Sequence, residues 1–116
     1  MTLLAHVTDE HRGGLAVARV EGEIDASNVE WVERRVRALL TNQSEGLVVD
    51  LSATTYLDSA GIALWFAIAE DLRQHQQQLR IVVVDGSSIA RMVALTGLDE
   101  AAPTHPTLDA ALAGAG

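Results

Sequence analysis

Lysine and cysteine are both absent from this chain, and each absence removes a block of chemistry. Without cysteine there are no disulfides and no thiolate metal ligands. Without lysine there is no Schiff-base chemistry, no lysine general base and no phosphate-loop lysine. All eight basic residues are arginines, and sixteen acids bring the formal charge to −8. That balance argues against nucleic acid or an anionic membrane as a partner, because both need a positive footprint. Long apolar runs are missing too. The longest, Ala60 to Ala69, ends at Glu70, well short of the ~20 residues that span a bilayer. The opening Met1-Thr2-Leu3-Leu4 has neither a basic stretch nor a cleavage site, so no signal peptide is expected and a cytoplasmic location is.

What remains is a globular chain of 116 residues, 48% apolar, long enough for one domain with a proper core. Leu3 to Val7 reads as a short strand, followed by a polar turn from Asp9 to Gly14 and a second strand from Leu15 to Val20. A helix is expected from Ser27, where Ser27 and Glu30 have capping-box spacing. It carries Val29, Val32, Val36, Leu39 and Leu40 on one stripe. Glu30–Arg34 and Glu33–Arg37 are potential i,i+4 ion pairs on its outer face, and Asn42 and Gly46 break the pattern. Leu47 to Leu51 is a third strand, and Ser52 to Leu57 reads as a loop. A second helix follows from about Ala60 to Gln76, burying Ile62, Trp65, Phe66, Ala69 and Leu72. Leu79 to Val84 is a strand covered on both faces. A third helix stops at Gly97, a weak strand lies around Ala101 to His105, and a last helix begins near Leu108. Strands alternating with helices imply an α/β fold with a largely parallel sheet, its first strand antiparallel.

Loops that follow parallel strands leave the sheet at one edge, where α/β folds place their sites. Here those loops carry Asp25, then Asp58-Ser59, then Asp85 with Ser87 and Ser88. Each serine or aspartate has an ordinary explanation as a helix cap, worth typically ~1 kcal/mol. Ser59 differs in its surroundings. Ala60-Gly61 is a poor choice for starting a helix, since glycine costs up to about 1 kcal/mol relative to alanine, and close access by another molecule would account for it. Three roles are open to Ser59: helix cap, nucleophile and phosphate acceptor. The nucleophile elbow requires glycine two residues before the serine, and position 57 is leucine. The histidines that could act as base, His6, His11, His75 and His105, are scattered away from the three loops and show no metal-ligand spacing. A phosphate acceptor fits better. A phosphoryl group adds about −1.5 to −2 charges at a helix N-terminus whose free N–H groups favour anions, and any partner must then desolvate that charge.

The stretch Asp58-Ser59-Ala60-Gly61-Ile62 resembles the phosphorylation motif of the STAS domain family, specifically its anti-sigma factor antagonists. Gly22-Glu23-Ile24-Asp25, Val48-Val49-Asp50-Leu51-Ser52, Leu95-Thr96-Gly97-Leu98 and Pro106-Thr107-Leu108 with Ala110-Ala111-Leu112 extend the resemblance from Leu15 to about Leu112. The resemblance implies a single domain with its core at about residues 3–113. Its fold would be a mixed, mostly parallel central sheet flanked by about four helices. It also implies a non-enzymatic, cofactor-free binding protein. Unphosphorylated, it would bind an anti-sigma factor serine kinase of the GHKL type and so release the sigma factor. Phosphorylation at Ser59 would end that binding, and a metal-dependent Ser/Thr phosphatase would restore it. The residues expected to meet the kinase are Asp25, Asp58, Ser59, Ala60, Gly61 and Ile62. Leu64 and Ile68 join them as an apolar patch if they are exposed, and Trp31 is a further candidate for exposure.

The resemblance is imperfect at Ala101 to His105, which is more polar and proline-rich than the family's last strand, and at the bulky Trp65-Phe66 pair. Two other readings compete. One is a STAS subunit of a lipid-transporting ABC complex, a binding module that needs no phosphorylation. The other is a small enzyme, which the missing lysine, cysteine, glycine-rich phosphate loop and paired histidine all disfavour.

Overall fold

A computed structural model describes residues 5–41 and 44–113. Leu3, Leu4 and Asn42, expected in the first strand and at the first helix end, lie outside the described residues. The elements run β1 (Ala5–Arg12), β2 (Leu15–Ile24), α1 (Val29–Arg37), β3 (Gly46–Asp50), β4 (Thr54–Leu57), α2 (Ser59–Gln74), β5 (Gln78–Val82), α3 (Ser88–Thr96), α4 (Leu98–Ala101), β6 (Thr104–His105) and α5 (Leu108–Ala113). The sheet order is β1-β2-β3-β5-β6, with β4 also paired to β2. Only β1 is antiparallel to its neighbour, as the sequence predicts.

Side chains of the sheet alternate between two cores, as the period of two demands. Ala16, Ala18, Val20, Leu47, Val49, Leu79 and Ile81 face α1, α2 and α3, packing on Val32, Val36, Trp65, Ile68, Ile89 and Val93. Leu15, Val17, Val48 and Val82 face the opposite way and are covered by Ala111, Leu108 and Leu112 of α5. The Arg80 guanidinium donates to the Ala111 carbonyl at 2.9 Å and ties α5 down. The α3 helix ends where expected, with Gly97 left-handed at φ +80°.

Several expectations need correction. β1 continues through Arg12 rather than giving way to a turn at Asp9, because each residue from Asp9 to Arg12 finds a partner on β2. The tight turn is confined to Gly13-Gly14, where Gly13 has φ +60°. The segment from 54 to 57, expected as loop, is strand β4. It runs alongside the upper part of β2, and the buried Thr54 hydroxyl donates to the Val20 carbonyl at 2.7 Å. The one-turn helix α4 was not anticipated. α1 starts at Val29 with Asn28 at the cap position, and the Ser27–Glu30 capping box does not form. Glu33 pairs with Arg37, and Arg37 also reaches Asp71 on α2 at 2.8 Å, whereas Glu30 and Arg34 make no ion pair among the described residues.

Candidate functional site

The strand β4 is what builds the site. It occupies the lane of β3, farther along, so that Ile24 and Leu57 end side by side. The backbone N–H of Asp58 donates to the Ile24 carbonyl at 3.3 Å, carrying the pairing one step beyond the strand. The two loops that follow, Asp25–Asn28 and Asp58-Ser59, therefore emerge together.

Asp58 has extended backbone geometry (φ −97°, ψ −172°) and caps α2. Its Oδ1 accepts from the N–H groups of Ala60 at 2.9 Å and Gly61 at 3.1 Å. Its Oδ2 accepts from the N–H of Ala26 at 3.2 Å, in the neighbouring loop. One carboxylate thus caps the helix and joins the two loops. The Ile62 N–H is taken by the Asp58 carbonyl. Of the N–H groups at this helix end, expected to favour an anion, those of Ala60, Gly61 and Ile62 are consequently occupied by Asp58.

Ser59 is the first residue of α2, exposed, and its hydroxyl makes no hydrogen bond among the described residues. The capping role belongs to Asp58, leaving the serine hydroxyl uncommitted. Across the seam Asp25 does the reverse. Its Oδ1 accepts from both the N–H and the hydroxyl of Ser27, at 2.8 and 2.5 Å. The Ser27 hydroxyl first, and its N–H second, hold the Asp25 carboxyl below the usual carboxylate range of about 3.8. Buried Asn28 braces this loop by accepting from the Asp25 N–H at 3.0 Å and donating to the Glu23 carbonyl at 2.8 Å. Asn28 and Thr54 support the site although the sequence reading does not single them out. For Asn28 the available signal was an asparagine three residues after an aspartate in a loop.

The third loop stands apart. Ser87 caps α3 by accepting from the Ala90 N–H at 3.1 Å, which is the ordinary helix-starting role. Strand β3 separates β5 from β2, and no hydrogen bond or ion pair among the described residues links Asp85, Ser87 or Ser88 to Asp25 or Asp58. Hydrogen bonds therefore join two of the three expected loops, while the third is linked to them through the packing of α3 against β4.

Around Ser59, burial revises the expected contact set. Leu64 and Ile68 are 5% and 0% exposed, so the apolar patch expected from them is absent; they belong to the core. The cause is that α2 has neighbours on both flanks, α1 on one side and α4 on the other, as well as the sheet beneath. That widens its buried arc beyond one stripe. Ile62 is also buried, while Phe66, expected in the core, and Trp31 are each only partly buried. Gly61 is buried, and a Cβ there would stand 2.4 Å from Leu57 Cδ1 and 3.1 Å from Ile24 Cγ2. Its missing side chain therefore lets α2 close onto β2 and β4 rather than opening space for a visitor. Asp25, Asp58 and Ala60 are half-buried, and Ser59 is open to solvent.

Among the described residues no group of histidine, aspartate and glutamate is arranged to hold a metal ion, and no helix is long and apolar enough to cross a membrane. His6, His11 and His75 are exposed and lie on β1 and at the far end of α2.

Residues 6–111 match the family model described as STAS domain, and the chain belongs to that family. The relatives it matches carry a narrower description. The anti-sigma-F factor antagonist RsfB of Mycobacterium tuberculosis is 33% identical over 108 residues, covering 93% of this chain and 87% of that protein. RsfA, an anti-sigma-F factor antagonist of the same organism, is 30% identical over 107 residues, covering 90% and 83%. Among solved structures, an anti-sigma factor antagonist from Mycobacterium paratuberculosis superposes with a TM-score of 0.85 at 33% identity, covering 95% of this chain and 92% of that one. The mixed, mostly parallel sheet with its flanking helices is the architecture of that neighbour.

Proposed function

We propose that this chain is a cytoplasmic anti-sigma factor antagonist switched at Ser59. The carrying observation is the Ser59 hydroxyl, which is exposed and makes no hydrogen bond among the described residues, at a helix start whose adjacent carboxylate is fully engaged. The names of the similar proteins support the same reading. In the unphosphorylated state the surface around Ser59, Asp58, Asp25 and Ala60 packs against an anti-sigma factor that is itself a serine kinase of the GHKL type. The kinase transfers the γ-phosphoryl group of ATP to the Ser59 oxygen, the hydroxyl proton is lost and ADP leaves. A metal-dependent Ser/Thr phosphatase hydrolyses the ester to serine and inorganic phosphate.

The electrostatics favour release of the partner. Phosphorylation places about −1.5 to −2 charges beside two carboxylates. Asp58 already occupies the N–H groups of Ala60, Gly61 and Ile62, which would otherwise be open to the anion, and no arginine among the described residues bonds to Asp25 or Asp58. A partner seated there must desolvate the new charge. A cost of about 3 kcal/mol is a hundredfold loss of affinity. In this role the domain is a substrate and a binding module, not a catalyst.

The test is a pull-down from the native cytoplasm with wild type, Ser59→Ala and Ser59→Asp, followed by binding measurements with the recovered kinase. Wild type should gain one phosphate with kinase and ATP, Ser59→Ala none, and Ser59→Asp should bind at least tenfold more weakly. Equal affinity of Ser59→Asp and wild type would refute the switch.

A further inference from the structure

The two flanks of α1 differ in how their charges are satisfied. On the flank facing α2, Arg37 is shared between Glu33 and Asp71. On the other flank, Trp31, Arg34, Arg35 and Ala38 follow one another at helical spacing of three and four residues. This side leans on the sheet-edge strand β1, where Arg35 donates weakly to the Val7 carbonyl at 3.5 Å. The Arg35 guanidinium also lies 5.5 Å from the centre of the Trp31 ring, within cation–π range. Arg34 and Arg35 are both exposed and neither pairs with a carboxylate among the described residues, although Glu30 sits one turn before Arg34. Arg12, Arg19, Arg37 and Arg73 each face an acid, Arg80 is bound to Gln78 and Ala111, and Arg91, on α3, is exposed with no ion pair among the described residues. In a chain of net charge −8, these are two adjacent guanidinium groups without a carboxylate partner, one of them, Arg35, against a partly buried tryptophan.

We infer that this flank of α1 is a docking surface for an acidic segment of a protein partner, with glutamate or aspartate side chains received by Arg34 and Arg35 beside Trp31. The charge complementarity is specific. Guanidinium groups take carboxylates in paired, planar geometry, whereas a basic segment would meet more favourable charge almost anywhere else on this surface. Tryptophan and arginine are also the side chains that most often carry interface energy. The surface is separate from Ser59 in its chemistry, and its test uses no kinase. A negative result here leaves the Ser59 reading standing.

The experiment is a fluorescence titration of the full chain with a blocked octaglutamate peptide at low salt. Trp65 is fully buried, so a surface ligand reports through Trp31, and Trp31→Phe should abolish the signal. A saturable change in Trp31 emission is expected, weakening as added salt shortens the Debye length below about 10 Å. Arg34→Gln with Arg35→Gln should weaken binding at least tenfold. Arg34→Gln alone, whose side chain has no other partner among the described residues, should weaken it measurably with no change in the melting curve. The proposal is overturned by no change in emission, by equal binding to the double variant, or by an equal response to octalysine. Tighter binding of a single-stranded oligonucleotide of matched charge overturns the choice of a protein segment. Self-association that depends on Arg34 and Arg35 in sedimentation would assign the face to a second copy of the chain instead.

Discussion

Ser27 and Ser59 stand in neighbouring loops on one edge of the sheet, each close to an aspartate, yet their hydroxyls have different fates. In the first loop Asp25 curls back on its own segment and takes the Ser27 hydroxyl as well as its N–H. In the second, Asp58 spends both oxygens on backbone N–H groups, one on α2 and one across the seam, and the serine that follows is left alone. Availability of a hydroxyl is therefore set less by the serine than by where the neighbouring carboxylate finds its donors. An aspartate directly before the serine faces the helix start and caps it; one two residues before faces the serine itself.

The contrast depends on α2 closing tightly over the ends of β2 and β4, and the largest structural effect is expected there. Gly61→Ala places a methyl against Leu57 and Ile24, both buried, and should cost about 1–3 kcal/mol in urea unfolding. An unchanged midpoint would mean that Leu57 swings aside at no cost. Next comes Asp58→Ala, which uncaps α2 and frees the Ala26 N–H. A loss of about 1–2 kcal/mol is expected, with faster hydrogen exchange at the Ala26 amide as the sign that the two loops have parted. A cap loss without that change would separate the two functions of the carboxylate.

The smallest effect concerns Asp25. Hydrogen bonds from Ser27 hold its carboxyl below the ordinary aspartate value, so the ionised form favours the folded state. That contribution is present above the unfolded value and is lost as pH falls through the folded one. Ser27→Ala should raise the Asp25 titration midpoint toward that of an ordinary aspartate in carboxyl-resolved NMR, while Ser59→Ala should leave it in place. An equal response to both would erase the distinction between the two serines.

Much of this was legible in the sequence because it is local. The strand–helix alternation, the antiparallel first strand, the stop at Gly97 and the position of Ser59 at a helix start all follow from patterns within a few residues. The misreadings were long-range. Thr54 to Leu57 looks like a loop because four residues carry too little alternation to declare a strand. Its strand character comes from β2, more than thirty residues earlier. Leu64 and Ile68 look peripheral to one stripe because the stripe assumes a helix covered from one side only. Gly61 reads from the sequence as room for a visitor, and only the positions of Leu57 and Ile24 show it to be room for a neighbour. Glu30 and Arg34 have the right spacing for an ion pair, but proximity along a helix is permission rather than obligation.

The ten-residue strand β2 divides its hydrogen bonding between two parallel partners placed end to end. Five consecutive pairs, Leu15 to Arg19, join it to β3, and three, Gly22 to Ile24, join it to β4, with a register shift between Gly22 and Glu23. The sheet therefore has a long seam and a short one, and opening fluctuations begin in the weaker of the two. The consequence concerns time as much as shape. The end of the molecule that presents Ser59 is held to β2 by fewer strand pairs than the seam below it, and its β4 amides are expected to exchange hydrogen faster than those of β3.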